Sequence, residues 1–202
     1  MKINPKYKLN LLRRRSIRLK GYDYSRNGLY FITICCQDKR SRFGQVIHGK
    51  MVLNAYGQIA YDEWLKLQER FSNLQLDVFQ IMPNHMHGVV ALVGATLAVA
   101  PNDVVAPNDA VAPNDVVAND YNRAGASPAP TIFDIVGAYK SLVANGCLKI
   151  YKSKNEIMGK LWQRNYYEHI IRNEKSYQNI SKYIINNPCK WADDRFHILG
   201  NK

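Results

Sequence analysis

Residues 81–90 read IMPNHMHGVV, a largely apolar run in which one methionine separates two histidines, His85 and His87. Side chains alternate between the two faces of a β-strand, so both imidazoles leave the strand on one face while Met86 points to the other. Ring nitrogens arranged in this way can converge on a single divalent metal ion. The stretch therefore predicts a strand with a hydrophobic core on one face and a metal site on the other.

The size and composition of the chain indicate one ordinary globular domain. It has 202 residues, of which 47% are hydrophobic and 11% aromatic. No apolar run approaches the length of a membrane-spanning helix, and the basic N-terminus lacks the apolar stretch of a secretory signal. We therefore expect a cytoplasmic protein with no membrane partner. Because no cysteines form a C-x-x-C pair, we also expect free, mostly buried thiols: Cys35, Cys36, Cys147 and Cys189.

The charge of the chain points to a polyanionic partner. It carries 28 Lys and Arg against 16 Asp and Glu, a formal net charge of +12. Four of these acids lie in the low-complexity insert described below: Asp103, Asp109, Asp115 and Asp120. The remainder is thus more basic than the total suggests, which favours nucleic acid as the partner.

Two segments differ in composition from the rest. Residues 1–28 form a basic arm with interleaved aromatics, which we expect to track a DNA backbone, although a solvated tail is an equal alternative for the first dozen residues. Its predicted DNA contacts are Arg13, Arg14, Arg15, Arg18, Lys20, Tyr22 and Tyr24. Within about residues 95–130, copies of a six-residue repeat such as AVAPND indicate a flexible surface loop without chemistry. We expect one domain over residues 29–202 that carries this insert.

The remaining pattern predicts an α+β fold. Strands are expected at 30–36, in a hairpin over 43–53, at 77–92 with an interruption at Pro83-Asn84, and within 161–172. Helices are expected at 55–71, after the capping residue Thr131, and from Asn173 or Ser176 until Pro188. This order suggests an antiparallel sheet with helices packed on it.

The last predicted helix carries a second pair of polar residues. Tyr183 and Asn187 are four residues apart and therefore project from the same helical face. Beside a two-histidine metal site, a phenol and a carboxamide on one face would form a phosphodiester-cleaving unit, in which the phenol attacks phosphorus. Other interpretations stay open, since Tyr183 can serve packing and Asn187 can cap the helix. Tyr166 and Tyr167 are rival nucleophiles.

Several motifs together resemble a known family. The segment from Pro83 to His87 is similar to the His-hydrophobic-His motif of HUH endonucleases, and residues 183–188, YIINNP, resemble the single-tyrosine transposases of the REP-associated type. Further similar stretches cover most of the chain outside the repeat insert: SIRL at 16–19, YDY at 22–24, GLYFIT at 28–33, LN with Gly57 at 53–57, and WQR to IIR at 162–172.

The resemblance implies a ferredoxin-like sandwich that nicks and rejoins single-stranded or hairpin DNA through a covalent phosphotyrosine. By this likeness Tyr183 is the nucleophile, and His85, His87 and Asn187 bind Mg²⁺ or Mn²⁺. Imidazole ligands favour Mn²⁺ intrinsically, whereas Mg²⁺ enters through the family. A homodimer stays open, because single-tyrosine relatives work as dimers in some branches and as monomers in others.

Basic residues outside the arm are also expected to contact DNA, namely Lys140 and Arg164. Two alternatives differ in class from a transposase. One is a non-catalytic regulator, derived from such an enzyme, that binds DNA hairpins. The other is a zinc-dependent hydrolase, which the sequence disfavours because it offers neither an acidic ligand nor an H-E-x-x-H pattern.

Overall fold

The computed structural model describes residues 27–93 and 129–197. The basic arm up to residue 26 and the insert from 94 to 128 lie outside the described residues. The same is true of the predicted DNA contacts in the arm, which are Arg13, Arg14, Arg15, Arg18, Lys20, Tyr22 and Tyr24. Their roles stay predictions.

Six strands and four α-helices make up the described chain. The strands are β1 (Gly28–Cys35), β2 (Gly44–Ile47), β3 (Lys50–Leu53), β4 (Leu74–Ile81), β5 (His85–Leu92) and β6 (Tyr167–Ile171). The helices are α1 (Ala55–Leu65), α2 (Leu67–Arg70), α3 (Ile132–Ser153) and α4 (Glu174–Asn186). Short 3-10 segments follow β1 and α4, at Gln37–Lys39 and Pro188–Asp193.

Four strands form one antiparallel sheet in the order β4-β5-β1-β6, and β2 pairs with β3 in a separate hairpin. With that hairpin set aside and α1 and α2 taken together, the chain runs strand, helix, strand, strand, helix, strand, and α4 follows. The first strand lies between the third and the fourth. This is the ferredoxin-like arrangement, and it confirms the predicted α+β sandwich.

The segment before the histidines differs from the prediction. Instead of one strand interrupted at Pro83-Asn84, the chain turns back, and β4 pairs antiparallel with β5. Proline has no N–H to donate, so it cannot continue a ladder in the middle of a sheet. The turn is closed by the Met82 N–H, which donates to the His85 carbonyl at 2.8 Å. The interruption seen in the sequence is therefore a hairpin turn.

The two faces of the sheet are covered by different helices. On one face Ile32 and Met86 pack in the main core with Trp64 of α1 and Tyr139 of α3, and all four are fully buried. On the other face Ile184 of α4 packs against Val89 and Ile171. Met86 thus points into a core, as predicted. The cysteines are free, with Cys35, Cys36 and Cys147 buried and Cys189 exposed.

Of the helices within residues 27–93 and 129–197, none combines the length and the apolar character needed to cross a membrane.

Gly88 allows the central strand to approach α1 closely. A Cβ added there would lie 2.5 Å from Trp64 Cζ2, in a ring that is fully buried.

We expect Gly88→Ala to lower the free energy of unfolding by about 1–3 kcal/mol through overpacking. Urea denaturation followed by circular dichroism measures this change. The matched control is Gly137→Ala in α3, where nothing lies within 4 Å of the added Cβ. It should stabilise the protein by about 0.5–1 kcal/mol, and equal effects from both variants would contradict the close-approach interpretation.

Candidate functional site

The pairing of β5 with β1 places both histidines of the motif on the face covered by α4. His85 lies opposite Cys35 and His87 opposite Thr33 in the antiparallel register. Both histidines are fully buried. Their Nε2 atoms are 3.0 Å apart, so the two rings converge as the alternation predicted.

Asn84 fixes the tautomer of His85. Its amide nitrogen donates to the carbonyls of Lys39 and Phe196, at 2.9 and 2.8 Å, so its Oδ1 is the atom that faces the imidazole. That oxygen is 2.8 Å from His85 Nδ1 and can only accept, so Nδ1 carries the proton. The lone pair of His85 therefore lies on Nε2, directed at His87. A partner of this kind, which orients an imidazole from behind, is usual in metal sites.

Thr33 holds the second imidazole. Its Oγ1 is 2.8 Å from His87 Nδ1, and both side chains are buried. A hydroxyl can accept from Nδ1–H or donate to a bare Nδ1, so it supports either tautomer of His87. When it accepts, both Nε2 lone pairs face the same point. Two ligands about 2.1 Å from one octahedral cation lie about 3.0 Å apart, which matches the separation of the two nitrogens.

Burial keeps the imidazoles neutral. It lowers the pKa of His85 to about 3, helped by the positive charges of Arg195 and Lys39. Burial and the neighbouring His85 hold the pKa of His87 well below its ordinary value, against the charge of Asp194. Neutral imidazole is the form that binds a metal ion.

Helix α4 delivers Tyr183 to the histidines. The helix begins after Asn173, whose side chain caps the Ser176 N–H, and its buried residue Ile184 packs against the sheet. Tyr183 Oη lies 3.1 Å from His87 Nε2, and its ring meets Phe31 edge to face. Burial and the Asp194 carboxylate raise the pKa of this phenol, while Arg195 opposes the rise. The mid-chain and C-terminal motifs, separate in sequence, are therefore adjacent in the fold.

Asn187 lies one turn further along the same face. It is 2% exposed, and its Nδ2 donates to Asp194 Oδ2 at 2.7 Å. Its Oδ1 is buried and, among the described residues, accepts no hydrogen bond. A buried carbonyl oxygen without a donor is costly, and a cation or water would satisfy it. This atom is consistent with the predicted ligand role of Asn187, which stays a prediction.

Asp194 is a site residue that the sequence analysis missed. A ligand atom from each of His85, His87 and Asp194 lies within 4.8 Å of the others, so these side chains can hold a metal ion. The expectation that no acidic ligand exists is therefore wrong. The carboxylate is held by the Phe196 N–H, which donates to Oδ1 at 2.7 Å. The only signal in the sequence was the charged run at residues 193–195, close after the helix that carries Tyr183.

A pocket of about 460 Å³ opens over the phenol. It is lined by Tyr183, Asn187, Lys190, Asp193, Asp194 and Arg195. Its size is in the range of small-ligand sites. The reactive face of Tyr183, which is 40% exposed, is therefore open to a substrate from outside the protein.

The other predicted site residues lie apart from this group. Lys140 comes from α3, which packs on the opposite face of the sheet, and its ammonium donates to the Gln163 and Arg164 carbonyls at 2.7 and 3.0 Å. Arg164 is exposed. Their DNA contacts stay predictions. Of the rival tyrosines, Tyr166 packs against the main core and Tyr167 is exposed on β6, opposite Thr33.

A buried imidazole pair, a carboxylate and a phenol thus lie together on one face of an antiparallel sheet with helices packed on it. The chain is 38% identical over 193 residues to an uncharacterized protein of Haemophilus influenzae (strain ATCC 51907 / DSM 11121 / KW20 / Rd). The match covers 96% of this chain and 98% of that protein, so the chain belongs to the same family. No family model matches the chain.

Two solved structures are similar at a distance. One is a REP-associated tyrosine transposase bound to a REP hairpin, with a TM-score of 0.46 and 18% identity, covering 84% of this chain and 72% of that one. The other is a provisionally named transposase from Deinococcus radiodurans R1, with a TM-score of 0.40 and 16% identity, covering 84% and 95%. Similarity as distant as this assigns neither a reaction nor a substrate.

The buried imidazoles predict how stability depends on pH. An unfolded histidine binds a proton below about pH 6.5, whereas the folded pKa of His85 is about 3 and that of His87 is also lowered. The unfolded state therefore binds more protons as the pH falls through this window, and stability is lost. Between pH 7.5 and 5.0 we expect a loss of about 1–2 kcal/mol for each imidazole.

Urea denaturation in a chelator at both pH values measures this loss. His85→Gln removes one of the two titrating groups, so its loss should be smaller than that of the wild type. His48→Gln, in the exposed turn between β2 and β3, is the matched control for introducing glutamine. A full wild-type loss in His85→Gln would show that this imidazole is not responsible.

Proposed function

We propose that the protein is a metal-dependent endonuclease and transesterase, a transposase that nicks and rejoins single-stranded or hairpin DNA with Tyr183 as the nucleophile. The observation that carries the proposal is the 3.1 Å distance between Tyr183 Oη and His87 Nε2, within a group that also contains His85 and Asp194. A phenol beside a metal-binding group, open to a pocket, is suited to phosphoryl transfer.

In the proposed reaction the Tyr183 oxygen attacks the phosphorus of the DNA backbone. The bond between phosphorus and one deoxyribose oxygen breaks, and that oxygen leaves as a hydroxyl after taking up a proton. The phenol proton can pass to Asp194 Oδ2, which is 3.5 Å from Tyr183 Oη. One strand end stays attached as a phosphotyrosine, so the hydroxyl of a second strand can reverse the attack and rejoin the DNA.

The donor set supports a bound divalent cation. His85, His87 and Asp194 would hold it, and the free Oδ1 of Asn187 fits a fourth ligand. When bound, Mg²⁺ or Mn²⁺ supplies Lewis-acid stabilisation of the phosphate charge and lowers the pKa of the adjacent phenol. Two imidazoles in the set favour Mn²⁺ over Mg²⁺. Asn84 keeps the lone pair of His85 on Nε2, and Thr33 does the same for His87 when its hydroxyl accepts from Nδ1–H.

The charge of the chain supports DNA as the partner. The excess of 28 basic over 16 acidic residues supplies affinity for a phosphate backbone that weakens with salt. Substrate DNA also fits the expected cytoplasmic location.

The first test of the proposal concerns the nucleophile. With hairpin oligonucleotides from the DNA flanking the coding region and Mn²⁺, the wild type should form a covalent adduct visible on a denaturing gel. Tyr183→Phe removes only the hydroxyl, so the adduct should disappear while oligonucleotide affinity changes less than about threefold. Tyr167→Phe, on the exposed rival tyrosine, is the control and should keep the adduct.

The other outcomes separate the alternatives. An adduct in Tyr183→Phe would identify another nucleophile. Cleavage by the wild type without any adduct would favour metal-dependent hydrolysis, for which Asp194 provides the acidic ligand. Tight binding without cleavage in either Mg²⁺ or Mn²⁺ would favour the hairpin-binding regulator.

The second test concerns the ligands and needs no DNA. Isothermal titration with Mn²⁺ should show a loss of about 10- to 100-fold or more in affinity for His85→Gln and for Asp194→Asn. Removal of a residue that only orients a metal ligand already costs about this much. Asn187→Ala tests the ligand predicted from sequence. Asp193→Asn removes the neighbouring carboxylate of the same pocket and should bind as the wild type does. Equal affinities in Asp194→Asn and Asp193→Asn would exclude Asp194 as a ligand.

A further inference from the structure

Arg195, whose charge acts on the pKa of His85 and of Tyr183, lies at the pocket over Tyr183. It is exposed and lines the pocket together with Tyr183 and Asn187. Its guanidinium carbon is 4.6 Å from the centre of the Phe196 ring, a cation–π contact. The Phe196 ring is 5% exposed and also packs against His85, with ring centres 4.5 Å apart. The guanidinium is therefore seated on the ring that contacts the imidazole.

Arg195 forms no ion pair within the described part of the chain. The salt bridges found there join Glu63 to Lys66 and Arg70, and no carboxylate of residues 27–93 and 129–197 lies within 4.0 Å of the Arg195 guanidinium. Lys39 adds a second cation nearby, because its ammonium lies 5.6 Å from the Phe196 ring centre and donates to the Arg195 carbonyl. A guanidinium held in place beside a pocket, yet without an anion, is suited to an anionic ligand.

The carboxylates of the pocket form no salt bridge with Arg195 in the described part of the chain. Asp194 accepts hydrogen bonds from Asn187 Nδ2 and from the Phe196 N–H, and it belongs to the metal-binding group. Asp193 is exposed, and Lys190 lines the same pocket. Arg195 and Lys190 thus give the mouth of the pocket two cations that have no ion pair among residues 27–93 and 129–197.

We propose that Arg195 is a further catalytic residue, which binds the non-bridging oxygens of the phosphate that Tyr183 attacks. This inference rests on the proposed function. The planar guanidinium donates two parallel hydrogen bonds to the phosphate and offsets the negative charge that grows on its oxygens during attack. The contact with the Phe196 ring limits the freedom of the side chain before binding, so little conformational entropy is lost when the phosphate binds. Lys190 supplies a more flexible second charge at the entrance.

The first experiment measures adduct formation with saturating hairpin oligonucleotide and Mn²⁺. Arg195→Gln should slow the rate constant by about 100-fold, the usual loss when one donor to a developing oxyanion is removed. Arg195→Lys should recover part of the rate, because it restores the positive charge but not the two parallel hydrogen-bond donors of the guanidinium. Arg70→Gln removes the same charge from α2 and should react within about twofold of the wild type, since a surface charge far from the site adds little.

An unchanged rate constant in Arg195→Gln, or a loss seen only in DNA affinity, would overturn the assignment. If the wild type itself forms no adduct, the proposed function fails, and that outcome is distinct from a failure of Arg195 alone. A second experiment then decides without catalysis.

The second experiment titrates ¹⁵N-labelled protein with the dinucleotide TpT, which carries a single phosphodiester. The Arg195 Nε–H resonance of the wild type should shift as TpT is added, and Arg195→Gln should weaken TpT about tenfold, as expected for a charge-assisted hydrogen bond. Arg70→Gln again serves as the control. An Arg195 resonance that does not move, or equal TpT affinity in the three proteins, would exclude a phosphate contact.

Discussion

The central strand β5 is buried on both faces, and the rest of the site depends on this constraint. Met86 and Val90 enter the core beneath α1 and α3, while His85, His87 and Val89 enter the space beneath α4. Because the side-chain period is two, a slip of one residue would exchange the imidazoles with the core residues. The core therefore fixes the register that brings the two Nε2 atoms to 3.0 Å, and packing and site geometry have the same cause.

Hydrogen bonds from the turn before β5 then determine what the imidazoles can do. The Asn84 amide nitrogen donates to two carbonyls from distant segments, those of Lys39 and Phe196. Its oxygen therefore faces His85 and orients the imidazole. The same residue thus connects the loop after β1, the C-terminal segment and the histidine motif. The C-terminal segment also contains Asp194, whose carboxylate is held in place by a hydrogen bond from the Phe196 N–H. Backbone carbonyls hold Asn84 and a backbone N–H holds Asp194, while the contacts among the site residues themselves are between side chains.

The sequence predicts those parts of the fold and site that are set by local periodicity. The alternation around Met86, the cap at Thr131 and the helical spacing of Tyr183 and Asn187 each follow from a few neighbouring residues. The sequence predicts an interrupted strand where the structure has the hairpin between β4 and β5, because a proline breaks the pattern in the same way in both. Asp194 was missed because its place depends on how the segment after Pro188 folds back, through contacts with residues far away in the chain. Spacing along the sequence carries no trace of such contacts.

Burial favours the function of the imidazoles but opposes that of the phenol. Burial favours the neutral form of His85 and His87, which suits them to bind a cation, but it also raises the pKa of Tyr183, which opposes ionisation for attack. Asp194 adds to that rise and Arg195 reduces it. Positive charge close to the phenol oxygen satisfies both requirements, because neutral imidazoles and the carboxylate stabilise the cation and the cation stabilises a phenolate. The proposed reaction thus needs a metal cation at the imidazole pair, for which the chain provides the ligands. It also gains from a second positive charge at the mouth of the pocket, which Arg195 provides.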